Sequence, residues 1–185
     1  MRLFVSVDCP DSFTDPISTI QDDFSSAPGI TLTDPAQAHV TLQFLGDVEE
    51  PRVGAVVDAL ERAVDSVDLE PFEVRFGGLG VFPSLEYIRV VWLGVEKGDT
   101  ALRVLQEAVE DHLEPLGYEG DDHEFTPHVT LGRMNHAGGK AHVQSMVEER
   151  SPTVGTMTVD SISLTESVLL PEGAEHATLE SISLE

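Results

Sequence analysis

The same four residues occur twice in this chain, His39-Val40-Thr41-Leu42 and His128-Val129-Thr130-Leu131, 89 positions apart. With 7 His and 13 Thr present, chance alone supplies about 0.5 His-x-Thr triplets, so two triplets decide nothing by themselves. Requiring the same Val and Leu in both lowers the chance by roughly a hundredfold. Each copy also stands in a β-rich run at a matching place in its half of the chain. Adding 89 to Leu3 reaches Trp92, inside the strand that opens the second half. The pattern is that of an old internal duplication, so the fold must fit two like halves together.

Alternation of apolar and polar residues predicts strands over 2–8, 38–45, 72–76 and 86–95, and the strand HVTLGRM within 125–134. The third of these runs into a three-glycine turn, GGLGVFPS. Helical spacing predicts helices over 12–24, through Ile17, Ile20 and Phe24, and over 50–67, through Val53, Val56, Val57, Leu60 and Val64. Helices are also predicted over 100–116, ended near Gly117, and more weakly over 141–149. The tail supplies strands over 156–164, 166–170 and 177–184. No linker separates the halves, so we expect residues 1–185 to form one bilobal domain. Element order alone fits either a parallel doubly wound sheet or α+β lobes. Asp8, Cys9 and Pro10 follow the first strand where a dinucleotide-binding fold would need glycines, which disfavours a Rossmann site.

Composition bounds the environment. The chain carries 34 acidic and 10 basic residues, a net charge of −24, yet 41% of its residues are hydrophobic and can build a core. The acids are dispersed rather than gathered in a tail, as in a solvated shell whose self-repulsion salt would screen. A halophilic cytoplasm is the natural setting. No 18-residue apolar run or secretory leader is apparent, and Cys9 is the only cysteine. We therefore expect a cytoplasmic protein with no membrane partner and no disulfide.

Along a strand, His39 and Thr41 share one face about 6.7 Å apart, while Val40 and Leu42 face the other side. His128 and Thr130 repeat the arrangement. If a pseudo-twofold axis relates the halves, all four polar side chains converge on one cleft. Two imidazoles across a substrate can serve as general acid and general base. Two hydroxyls between them can hold the oxygens of a tetrahedral anion. Phosphate fits that array, and the chemistry needs no metal, cofactor or covalent intermediate.

These residues carry a family resemblance. The opening MRLFVSVD, then HVTLQFLGDV, PFEVRFGGLGVFPS, VVWLGVE and FTPHVTLGR, resembles the two-histidine (2H) phosphoesterase superfamily nearly end to end. The nearest branch is the RNA 2′,3′-cyclic phosphodiesterases, formerly called 2′-5′ RNA ligases. The resemblance implies an α+β fold of two pseudo-symmetric lobes, each an antiparallel sheet with flanking helices, around a central cleft carrying the two HxTx motifs. It implies hydrolysis of RNA 2′,3′-cyclic phosphate ends to 2′-phosphates, with tRNA fragments as one substrate class and 2′-5′ ligation as a side activity. By motif order His39 would be the proton donor and His128 the proton acceptor, with Thr41 and Thr130 binding the phosphate. No obligate protein partner is implied. The segment TESVLLPEGAEHAT, residues 165–178, departs from relatives by lacking Lys and Arg, which bears on the grip on RNA. The competing functions are a phosphodiesterase for a small cyclic nucleotide or ADP-ribose cyclic phosphate, and a non-catalytic RNA- or nucleotide-binding module.

Beyond the motifs, Arg133 is the nearest cation to either copy, but strand parity sets it on the face opposite His128. Phe82 and Tyr87 are candidates to stack on a base, whereas Phe44 is expected in the core. Gly77, Gly78 and Gly80 read as a turn or bulge rather than a phosphate cradle. His112, His123, His136, His142 and His176 form no zinc spacing and are expected in solvent.

Overall fold

The computed structural model describes residues 1–184; Glu185, the last residue of the expected domain, lies outside the described residues. In chain order the elements are β1 (Arg2–Asp8), α1 (Thr14–Asp22), β2 (Ile30–Leu32), β3 (His39–Asp47), α2 (Val53–Ser66), β4 (Phe72–Pro83) and β5 (Ile88–Lys97). There follow α3 (Asp99–Leu113), β6 (Val129–Met134), α4 (Lys140–Glu149), β7 (Thr153–Val159), β8 (Ser161–Leu170) and β9 (Gly173–Ser183). The class is α+β and every strand pair is antiparallel.

The sheet order is β7-β4-β5-β6-β3-β1-β8-β9, with β2 added beside β6. One backbone pair, Val40 with Val129, joins the β3 side to the β6 side. The two halves therefore meet within one continuous antiparallel sheet, joined at the second residue of each motif. The halves interleave: α1 precedes the first motif yet packs on β6, and α3 precedes the second motif yet packs on β3. α2 lies along α3 and β9, while α4 covers β4.

The helices form where the apolar spacing placed them. Ile17, Ile20 and Phe24 are buried, as are Val56, Leu60 and Val64 from the stripe of α2. Burying a side chain of this size contributes about 1.5–3 kcal/mol. Three readings need correction. The strand expected to stop at Phe76 continues to Pro83, because the glycines lie in an irregular stretch of β4. There Gly78 takes φ +78, and a Cβ on Gly80 would stand 2.2 Å from the Trp92 ring. The glycines are therefore a bulge within the strand, not a turn that ends it. The run 156–164 is divided at Asp160, and 161–170 forms a single strand, opposite a bulge at Leu179 of β9. Alternation alone cannot show either break. The third correction concerns the duplication offset between the opening strands: Thr41 pairs with Ser6 and Thr130 with Trp92, so β1 maps onto β5 with an offset of 86, not 89.

Candidate active site

Each motif turns its apolar residues inward. Val40, Leu42, Val129 and Leu131 are at most 3% exposed, and the motif histidines and threonines are half-buried on the other face. Extending the Val40–Val129 register by one residue each way sets His39 towards Thr130 and Thr41 towards His128. Residues directly opposite in such a pair have Cβ atoms about 4.5–5.5 Å apart. The four expected site residues are therefore brought to one patch, the histidines on its diagonal.

Both imidazoles are oriented in the same manner. His39 Nδ1–H donates to the Gln37 carbonyl at 2.9 Å, and His128 Nδ1–H donates to the Thr126 carbonyl at 2.6 Å. A carbonyl can only accept, so the Nδ1 proton is fixed and Nε2 is the unprotonated nitrogen of each neutral ring. In the first copy the Thr41 hydroxyl, 3.0 Å away, then donates to His39 Nε2.

Aromatic rings pack against the imidazoles on both sides. Phe4 lies 4.9 Å from the His39 ring and His176 5.2 Å from it, edge-on. Phe82 lies 4.9 Å from the His128 ring and Trp92 5.8 Å from it. Phe82, a candidate to stack on a base, packs edge-on against His128. Phe4, Trp92, Gln37 and Thr126 carried no sequence signal. His176 was expected in solvent, but β9 returns it to the first motif. Tyr87 stays 61% exposed against Arg89 rather than against a histidine.

Two further expectations reverse for one reason. The register runs Val5–Gln43 then Ser6–Thr41 in the first half, and Val91–Gly132 then Trp92–Thr130 in the second. Each step skips a residue, Leu42 and Leu131 respectively, so both motifs carry a bulge at the same place. A bulge reverses the parity of the residues beyond it. Phe44 leaves the core and is 65% exposed, and Arg133 comes to the motif face, where its charge is felt by His128. Phe44 and Arg133 are 89 apart, so they are the same position in the two halves.

Burial is the main force on all three clustered histidines and pulls each below histidine's ordinary range. At His39 it is opposed by the Gln37 carbonyl and by Asp8. At His128 the Thr126 carbonyl opposes it, while Arg133 and His39 add to it. Burial, with the Asp8 charge second, pushes the Cys9 thiol up to about 12, which keeps that thiol un-ionised and unreactive. Among the described residues no three His, Cys, Asp or Glu side chains stand together as metal ligands, and no helix is long and apolar enough to cross a membrane.

Residues 9–168 match the 2′-5′ RNA ligase superfamily. The chain is 33% identical over 182 residues to the RNA 2′,3′-cyclic phosphodiesterase of Methanothermobacter thermautotrophicus, with 97% of each covered. It is 34% identical over 180 residues to the protein of that name from Archaeoglobus fulgidus, covering 97% of this chain and 98% of that one. Among solved structures, TT0787 of Thermus thermophilus superposes with a TM-score of 0.81 at 27% identity, over 100% of this chain and 98% of its own.

Proposed function

Because the chain belongs to the 2′-5′ RNA ligase superfamily, we propose that it hydrolyses RNA 2′,3′-cyclic phosphate ends to 2′-phosphates by metal-independent acid–base catalysis. The observation that carries the reading is the pair of imidazoles, each with Nδ1 committed to a carbonyl, so that Nε2 is the nitrogen that exchanges a proton. His128 Nε2 takes a proton from water as it attacks phosphorus. His39, protonated at Nε2, gives its proton to the departing 3′ oxygen, and the P–O3′ bond breaks. Each transfer relieves a charge that would otherwise build on an oxygen of the transition state.

Thr41, Thr130 and Arg133 bind the non-bridging oxygens, and a fixed cation there gains as charge develops on them. Phe44, exposed beside the first motif, offers a face for the terminal base. A 5′-hydroxyl in place of water would meet the same two histidines and yield a 2′-5′ linkage, which is the ligase side activity. The interleaving of α1 and α3 between the halves supports treating the chain as one bilobal domain.

An oligonucleotide ending in a 2′,3′-cyclic phosphate, incubated with the protein in high salt and EDTA, tests the reading. The expected product carries phosphate only at the 2′ position. A 3′-phosphate product would reverse the orientation of the site. Activity lost with EDTA and restored by zinc or manganese would overturn metal independence. Turnover of small cyclic nucleotides with RNA left intact would select the small-substrate reading, and no turnover of either would leave a binding module.

A further inference from the structure

Two like halves supply two equal histidines, yet an acid and a base must differ. The charges around them break the symmetry. Asp8 pairs directly with His39 across β1 and β3. One step past the Leu93–Val129 pair of β5 and β6, the matching place beside His128 is held by Gly94, which has no side chain. At the other equivalent position the first half has Phe44 and the second has Arg133. Among the described residues, the first motif therefore has a carboxylate and no Lys or Arg acting on its histidine, and the second has Arg133 and no carboxylate.

Asp8 is also held in place. Its Oδ1 accepts from the Ser6 hydroxyl and its Oδ2 from the Ser163 hydroxyl, both at 2.9 Å. Ser6 stands 3.2 Å from the Thr165 hydroxyl in turn. Ser6, Thr165 and Ser163 are 0%, 3% and 7% exposed, so buried hydroxyls from two strands fix a carboxylate that itself faces solvent. An exposed Asp with no such ties would lose its favourable geometry to side-chain motion.

We propose that Asp8 is a positioning residue whose carboxylate, anchored by Ser6 and Ser163, biases the shared proton onto His39 and so makes the first motif the acid and the second the base. The inference rests on the two-histidine reading above. The groups facing His39 are Asp8 from β1, His176 from β9 and His128 from across the motif pair; Asp34 faces His176, and Arg133 faces His128. Protonated His176 or His128 would oppose a charge on His39. Asp8 favours it, and Arg133 disfavours one on His128. Asp8 and Arg133 thus push the two histidines apart in the sense that general acid–base catalysis needs.

The test is Asp8→Asn, which removes the charge and nearly preserves the shape. Two readouts are taken: NMR titration of the His39 ring, and the pH profile of kcat/KM on the cyclic-phosphate oligonucleotide. In Asp8→Asn the His39 ring should titrate at lower pH, and kcat/KM on the alkaline limb should fall about three- to tenfold, a modest effect because Asp8 is solvent-exposed. The acid limb should hold. Asp8→Glu should recover most of the loss, and Asp8→Ser, a second neutral variant, should move His39 in the same direction as Asp8→Asn. An unmoved His39 titration in the folded neutral variants, or equal loss across all pH, would overturn the proposal. A wild type that hydrolyses no cyclic phosphate while its His39 still responds to Asp8 would defeat the hydrolase reading and leave the electrostatic one standing.

Discussion

At His39 and His128 the backbone does the orienting: a carbonyl two residues back holds Nδ1 at 2.9 and 2.6 Å. A proton-transfer group held this way contributes typically about 10²–10⁴-fold to rate. His39→Ala and His128→Ala should each lower kcat by that order while leaving the melting temperature close to wild type, and either variant retaining most activity would sink the assignment. The pH dependence comes from the direction in which burial pulls both rings. The base must be neutral, so activity is lost as pH falls through the value for His128. The acid must be protonated, so activity is lost as pH rises through the value for His39. Both lie below the ordinary 6.5, which places the kcat/KM bell on the acid side of that value, with limbs that belong to the coupled pair. An optimum well above histidine's ordinary range would mean that a group other than these two sets the alkaline limb.

Among the elements, the β8–β9 hairpin has the least expected role. The Gln37 side chain donates to the Ala174 carbonyl at 3.0 Å and accepts from the His176 backbone N–H at 2.6 Å, while its own carbonyl holds His39. One residue thus ties β9 to the start of β3, and His176 meets His39 through it. Gln37→Ala removes two hydrogen bonds worth about 0.5–1.5 kcal/mol each. It should lower the melting temperature by a few degrees and cost several-fold in kcat, measurable by calorimetry and initial rates. An unchanged kcat would show that the hairpin does not act on the first motif. The hairpin also marks how much was legible in the chain. Helical stripes, strand alternation and the repeated tetrapeptide are local patterns, and they placed the helices, most strands, and His39, Thr41, His128 and Thr130. The bulges at Leu42 and Leu131 depend on how a partner strand pairs, which no local pattern records. Phe44 and Arg133 consequently came out on the wrong face. His176 is separated from His39 by 137 positions, and only the fold of β9 joins them.

At the scale of the whole molecule, 24 net negative charges share 9786 Å² of surface. Spread evenly they would stand about 20 Å apart, inside the Debye length of about 30 Å at 0.01 M salt and beyond the roughly 8 Å of physiological salt. Long-range repulsion is therefore mostly removed by about 0.15 M. What molar salt still screens is repulsion between neighbouring acids such as Glu49 with Glu50, Glu148 with Glu149, and Asp121 and Asp122 near Glu124, all of them exposed. The cations do little to offset this: the ion pairs among the described residues, such as Arg75–Glu96 at 3.2 Å and Lys97–Glu73 at 3.7 Å, join solvated side chains. The melting temperature should accordingly rise steeply with KCl up to about 0.15 M and then more gradually towards about 3 M. RNA brings charge of the same sign, so its KM should fall as salt rises, against the usual release of counterions from phosphate. Arg133 works in the opposite sense, because a cation at the phosphate loses grip as salt rises. Measuring the melting temperature and the KM of a short cyclic-phosphate RNA over the same salt series separates the two. A melting temperature indifferent to salt would refute the halophilic reading, and a KM that worsens steadily with salt would show that the cation beside the second motif, rather than the acidic shell, governs binding.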